Sequence, residues 1–469
     1  MITKSYIEEL KSKDLETLYK LINETRGNKE LVFIFENLGH LPKNFDASIF
    51  ERFIKNGNSN VRFWAVKNIG KQSNPNVLNL LTTVAMQDID SLTRREAVSS
   101  IGRMRNRQAI PALITFLNDD DPKVILQAIR GLLIFKDDQI AVAELKKLKN
   151  HPNEMIQAVI RKEFQKTTPK SDVLPHPISP DFLKNVVVNG DVRQVMEHVP
   201  DETIHLTFTS PPYYNARDYS IYESYQSYLD FLTEVFKGVH RITKEGRFLV
   251  LNTSPIIIPR MSRAHASIRY PIPFDIHSRL TELGWDFIDD IVWLKPESSV
   301  KNRTAGFLQH RKPLGYKPNA VTEYLMVYRK KTTKLLDWNI HQYPLDIVEK
   351  SKVKADYETT NVWKIDPTFD SVHSAVFPIE LCNRVIRYYS YVGDLVFDPF
   401  GGSGTVGKSS MGLERYFFMT ELDKRYFARM QETLNKKSLF DSTLPMPRFF
   451  TANEFFNYEK GTDDGNSIG

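Results

Sequence analysis

Val396-Phe397-Asp398-Pro399-Phe400-Gly401-Gly402-Ser403-Gly404-Thr405-Val406-Gly407-Lys408-Ser409 is the stretch that decides the fold. An apolar strand runs into an acid, a proline and a glycine-rich turn, and a helical pattern follows. Such a turn lets a ligand reach both the backbone and a helix N-terminus. Gly402, Gly404 and Gly407 have the spacing of a dinucleotide fingerprint, and Gly402 through Ser409 has that of a phosphate loop. A phosphate-loop nucleotidase needs further strands and a magnesium-binding acid downstream. Only 60 residues follow Ser409, and the next strand, Arg415 to Thr420, begins at once. Glu421 stands 19 residues past Gly402, so spacing alone leaves the dinucleotide reading open.

Upstream, Ile204-His205-Leu206-Thr207-Phe208 reads as a buried strand leading into Thr209-Ser210-Pro211-Pro212-Tyr213. Two prolines force a rigid, extended turn at the carboxyl end of a strand, where α/β folds place their sites. Ser210 offers a hydroxyl, the prolines offer carbonyls that can only accept, and Tyr213 offers a flat ring. That combination suits a planar amino group stacked on a ring.

Residues 1–167 follow another pattern. Val61-Arg62-Phe63-Trp64-Ala65-Val66 recurs as Thr93-Arg94-Arg95-Glu96-Ala97-Val98, then as Val124-Ile125-Leu126-Gln127-Ala128-Ile129, and weakly as Met155-Ile156-Gln157-Ala158-Val159. Helix, turn, helix and acidic loop repeat, which is the signature of a stacked array. The segment resembles HEAT repeats, with the alanines expected at the helix contacts and residues 1–55 expected to cap the stack. Residues 168–180 hold four prolines and read as a linker. From 181 to about 440 strands and helices alternate, the mark of an α/β domain, and 441–469 reads as a tail.

The whole chain has 469 residues, 41% hydrophobic and 26% charged, which excludes global disorder. No apolar run reaches the ~18 residues of a membrane span, and the charged N-terminus does not read as a signal peptide. A soluble, cytoplasmic protein is expected. The single cysteine excludes a disulfide framework and a cysteine-rich zinc site, and no metal is expected. From Lys295 to Leu335 there are ten Lys/Arg against two acids, interleaved with Phe307, Tyr316, Tyr324 and Tyr328. That is the footprint of a polyanion partner. Lys301, Arg303, Arg311, Lys312, Lys317, Arg329, Lys330, Lys331 and Lys334 are its candidate contacts.

Taken together, residues 181–435 resemble the beta group of DNA amino-methyltransferases. Ser210-Pro211-Pro212-Tyr213 matches the family's target-amine tetrapeptide. Asp398, Pro399, Phe400, Gly402, Gly404 and Thr405 match its cofactor loop. The stretches Arg241 to Arg247, Gly284-Trp285 and Ile291 to Lys295 fill the interval, and His373 to Pro378 resembles the family's extra cofactor-side segment. The resemblance implies a Rossmann-like domain that binds S-adenosylmethionine and acts on a base flipped out of duplex DNA, with target recognition in residues 297–370. It also implies that Glu421 accepts from the cofactor ribose, that Asp191 lies near the adenine, and that Phe377, Pro378 and Asp398 line the methionine end. Carbon-5 methylation needs a cysteine nucleophile, and Cys382, in an apparent helix, does not supply one. Ser at position 210 favours cytosine N4, with adenine N6 as the alternative; an RNA methyltransferase and a non-catalytic scaffold are weaker readings. A separate restriction endonuclease, or another protein bound by the helical repeats, is the expected kind of protein partner.

Overall fold

The computed structural model describes residues 2–72, 74–164, 175–214, 222–258, 261–262, 264–265, 267–300, 313–314, 316, 318–354, 357–368, 376–435 and 444–463. The chain divides into two compact units, Met1–Asp172 and Val173–Gly469.

The first unit is all helical. Helices Ser59–Gly70, Ser91–Arg103 and Pro122–Leu132 open successive repeats. Each starts on a capping side chain (Asn58, Asp90 or Asp121) that satisfies free N–H groups of the first turn. Ala65, Ala97 and Ala128 are fully buried, as the repeat requires. Ala158 is exposed, and its helix Glu154–Phe164 buries Ile156 and Ile160 instead. Glycines also make close approaches: a Cβ on Gly102 would lie 3.0 Å from the Gly131 Cα, and one on Gly70 would lie 2.1 Å from Ser100 Oγ. An ion-pair ladder follows the repeat. Arg62 binds Asp88 through two bonds of 2.8 Å, and Arg95 binds Asp121 at 2.7 Å, each pair 26 residues apart. Residues 1–55 close one end of the stack, where Asn68 Nδ2 donates to the Phe35 carbonyl at 3.1 Å.

The second unit is built on strands β1 (Val186–Asn189), β2 (Ile204–Thr209), β3 (Thr243–Thr253), β4 (Ile256–Ile258), β5 (Ile268–Tyr270), β6 (Trp285–Leu294), β7 (Thr322–Lys330), β8 (Val362–Lys364), β9 (Leu395–Asp398), β10 (Tyr416–Glu421) and β11 (Arg448–Thr451). Among the described residues nine of them form one sheet in the order β11-β1-β10-β9-β2-β3-β7-β6-β8, and β4 pairs with β5. In the nine-stranded sheet neighbours are parallel except that β7 runs against β3 and β6; in the separate pair β4 runs against β5. The central strands are buried along nearly their whole length, which a parallel sheet covered on both faces demands. Val188, Phe397 and Phe418 pack on one face against Val195, Tyr228, Ile276 and Phe455. Val187, Val396 and Phe417 pack on the other against Leu381, Val406 and Met430. Among the described residues no helix is long and apolar enough to cross a membrane.

Three boundaries differ from the sequence reading. The stretch 297–370 is not an insert as a whole, because β7 lies inside the sheet between β3 and β6; the charge count masked the apolar run Leu325-Met326-Val327. The end of the linker, residues 175–180, packs within the second unit: Lys244 Nζ donates to the Pro177 carbonyl at 2.6 Å and Ser179 Oγ to the Thr203 carbonyl at 2.6 Å. The earlier linker residues, 168–174, lie outside the described residues. Within the tail, β11 pairs in parallel with β1, and Phe455 of helix Ala452–Asp463 is fully buried.

Candidate active site

Parallel register brings the ends of five strands, β1, β10, β9, β2 and β3, to one edge. Asn189 pairs with Glu421, Met419 with Asp398, and Thr209 with Leu251. A cavity of about 640 Å³ opens there. Ser210, Pro211, Pro212 and Tyr213 line one part of it; Asp398, Pro399, Phe400, Gly402, Thr405 and Glu421 line another. The glycine loop and the Pro-Pro loop, far apart in sequence, thus share one space.

The glycine turn is locally dictated. Gly404 has φ +81°, and a Cβ there would meet Met430 Cγ at 2.9 Å. It shapes the turn and does not itself line the cavity. Helix Thr405–Gly412 then starts at the cavity wall. Pro399 is pinned by Thr420 Oγ1, which donates to its carbonyl at 2.6 Å. Lys408 is exposed and off the cavity, which removes the phosphate-loop reading.

Two acids in this wall, buried Asp398 and half-buried Glu421, have no cationic partner among the described residues. Asp398 accepts from Thr209 Oγ1 at 2.6 Å and from the Phe400 N–H at 3.1 Å. Burial still pushes its pKa up to about 6. Glu421 accepts from the Gly402 N–H at 2.8 Å and the Asp423 N–H at 2.7 Å, and burial pushes its pKa up to about 7. Such groups are costly unless a ligand brings donors or positive charge. S-adenosylmethionine brings both, as ribose hydroxyls and as sulfonium and ammonium centres, so the residues present fit it.

Other expected residues fall out unevenly. Phe377 lines the cavity and stacks on Phe208 at 4.7 Å between centroids, but Pro378 starts helix Ile379–Tyr389 and is not part of the wall. Asp191 reaches the rim with its carboxylate already engaged: it accepts from the Arg193 N–H at 2.9 Å and pairs with the Arg193 guanidinium at 2.7 Å. Lys301, Arg303, Arg311, Lys312, Lys317 and the His373 to Ala375 part of the cofactor-side segment lie outside the described residues. Arg329, Lys330, Lys331 and Lys334 need correction as DNA contacts at this site. Strand β7 is reversed, so its carboxyl end lies beside Phe248, at the sheet edge opposite the cavity. Arg329 Nε there donates to the Gly246 carbonyl at 2.9 Å, Lys330 to the Thr243 carbonyl at 2.6 Å, and Lys334 pairs with Glu245 at 2.7 Å.

The start of β7 supplies what the sequence reading missed. Asn252, Trp293, Lys295 and Glu323 also line the cavity. Trp293 pairs in register with Glu323, and Lys295 forms an ion pair with it. In the sequence Lys295 only closes the Ile291 to Lys295 stretch, and Glu323 is only one of two acids among ten Lys/Arg. The missed signal was that both sit at strand ends facing the Pro-Pro loop.

Known proteins share parts of this sequence. Residues 204–432 match the family model for DNA methylase, and residues 83–162 match that for HEAT repeats. The type II methyltransferase M.Cfr9I of Citrobacter freundii is 27% identical over 270 residues, covering 50% of this chain and 83% of that protein. The type II beta methyltransferase M.BslI of Bacillus sp. (strain NEB-606) is 27% identical over 256 residues, covering 51% of this chain but 26% of that longer protein. Among solved structures, a DNA modification methylase from Thermus thermophilus complexed with S-adenosyl-L-methionine is 26% identical, with a TM-score of 0.46, covering 57% of this chain and 98% of that one. Residues 204–432 thus match the DNA methylase family, in one chain with residues that match HEAT repeats.

Proposed function

We propose that the chain methylates cytosine N4 in duplex DNA, with Ser210 and the Pro211 carbonyl as acceptors for the two amino hydrogens and Tyr213 as the stacking surface. The observation that carries this reading is the shared cavity: Ser210 to Tyr213 and the two acids without cationic partners, Asp398 and Glu421, face one space. S-adenosylmethionine would supply an activated methyl group. Glu421 would accept from its ribose hydroxyls, and Asp398, beside Phe377, would hold its methionine end.

The exocyclic amine of a base is a poor nucleophile because its lone pair is conjugated with the ring. Two acceptors on the amino hydrogens turn that lone pair out of conjugation and aim it. The protein's part is therefore positioning. A base inside a duplex cannot reach Ser210, so it must leave the stack, and an aromatic face compensates the lost stacking. A neutral hydroxyl at position 210 adds no charge beside a sulfonium and leaves room for a pyrimidine, which favours cytosine over adenine.

We also infer that the helical unit adds contacts to the DNA backbone. It holds 27 Lys/Arg against 21 Asp/Glu, whereas residues 173–469 hold 36 of each. The whole net charge of +6 thus resides on the repeats. A specific nuclease or other protein partner would be a separate chain.

The test is to methylate defined duplexes with labelled cofactor, digest them and separate the nucleosides. Label in N4-methylcytosine is expected; label confined to N6-methyladenine would overturn the base assignment.

A further inference from the structure

The Lys295–Glu323 ion pair lies in the cavity wall, with side chains 17% and 18% exposed. Partly buried ion pairs gain little stability over apolar packing, so a pair in a substrate cavity calls for another reason. Its surroundings fix it closely. The Lys295 N–H donates to the Val321 carbonyl at 2.8 Å, which ties the end of β6 to the start of β7. The Lys295 ammonium lies 4.4 Å from the centre of the Trp293 ring, and Trp293 Nε1 donates to the Ile365 carbonyl at 2.8 Å. One oxygen of Glu323 takes the ammonium. The other, Oε2, accepts from the Tyr213 hydroxyl at 3.3 Å.

We propose that Glu323, braced by Lys295, is a positioning residue that holds the Tyr213 phenol and so fixes the plane on which the extruded base stacks. This rests on the reading of Ser210 to Tyr213 as the target-amine loop. The rigid prolines set the backbone of Tyr213 but not the rotation of its ring. A carboxylate acceptor on the hydroxyl sets that rotation, and a charge-assisted bond is stronger than a neutral one. Burial and the neighbouring carboxylate raise the Tyr213 pKa well above its ordinary value, so the phenol keeps the proton it donates. The paired ammonium cancels the carboxylate charge, which leaves the base pocket neutral beside a cationic cofactor.

A loose ring would spoil the reacting geometry without weakening the duplex, which is held mainly through phosphates. Steady-state methylation by the full chain, with cofactor affinity from calorimetry as the control for folding, separates the two. Glu323→Ala is expected to lower kcat on the order of 10- to 100-fold, with KM for DNA within about 3-fold and cofactor affinity within about 2-fold. Tyr213→Phe removes the same hydrogen bond, so adding Glu323→Ala to it should cost no more than about 2-fold further. Glu323→Gln, which keeps the side-chain volume, should show a smaller loss that likewise vanishes in the Tyr213→Phe background. Unchanged kcat in Glu323→Ala, or losses that multiply in the double variants, would overturn the proposal. Ser210→Ala in the same assay distinguishes the underlying reading: full activity there would remove the target-loop assignment itself, and the proposal with it.

Discussion

The two units treat buried charge in opposite ways. In the helical unit Arg62 and Arg95 each meet an acid from the loop 26 residues on, so the charges are satisfied inside the chain and hold the stack together. In the catalytic unit Asp398 and Glu421 line a cavity with only hydroxyl and backbone donors, and both carry raised pKa values. Satisfied charge marks architecture; unsatisfied charge marks capacity kept for a ligand. The catalytic unit contains its own counterexample away from the cavity. Arg247 pairs with buried Asp394, which also accepts from Tyr343 at 2.6 Å and faces His205 at 3.3 Å. Burial opposes the Asp394 charge, yet Arg247 and His205 hold its pKa below the usual carboxylate value.

This contrast can be broken by substitution. Removing an unsatisfied acid should cost ligand and little fold: Asp398→Ala is expected to weaken S-adenosylmethionine binding beyond calorimetric detection while thermal unfolding stays cooperative. Lys408→Ala, off the cavity, should leave methylation within about 3-fold, the margin of an exposed substitution. Removing one partner of a satisfied pair should do the reverse. Arg247→Ala strands a buried carboxylate and should cost about 3–5 kcal/mol of stability in denaturant titration. Arg62→Ala, in the more open ladder, should cost about 1–3 kcal/mol and leave cofactor affinity intact. Residues 175–469 expressed alone should keep cofactor affinity within about 2-fold but bind DNA with a shallower salt dependence, by roughly one log unit for each phosphate that the repeats neutralise. An unchanged slope would mean that the basic charge of the repeats serves something other than DNA.

Much of this was legible because local rules act on contiguous residues. The period of Ala65, Ala97 and Ala128 announced the stack, and Asp398 to Thr405 announced a strand, turn and helix at a ligand site. Gly131 escaped notice because its partner, Gly102, is 29 residues away and only packing joins them. Strand β7 was hidden by the cations around it. The reversal that carries Arg329, Lys330 and Lys334 away from the cavity is a property of topology, which charge spacing does not encode. Glu323 was invisible for the same reason: a single acid in a basic stretch gains meaning only when β6 and Tyr213 are placed beside it.

The most direct test of the contrast is the pH dependence of S-adenosylmethionine affinity, measured by calorimetry on the full chain. Burial holds Glu421 up at about 7 and Asp398 up at about 6 in the free protein. The free site is therefore largely protonated at pH 6 and must lose a proton to accept the ribose hydroxyls and sit beside positive charge. Affinity is expected to rise about 20-fold between pH 6 and pH 8, about 10-fold of it from Glu421, with proton release on binding that fades as pH passes 7. Glu421→Gln should flatten most of that rise. A wild-type affinity independent of pH, with no proton released at pH 6, would contradict the assignment of these two acids to the cofactor.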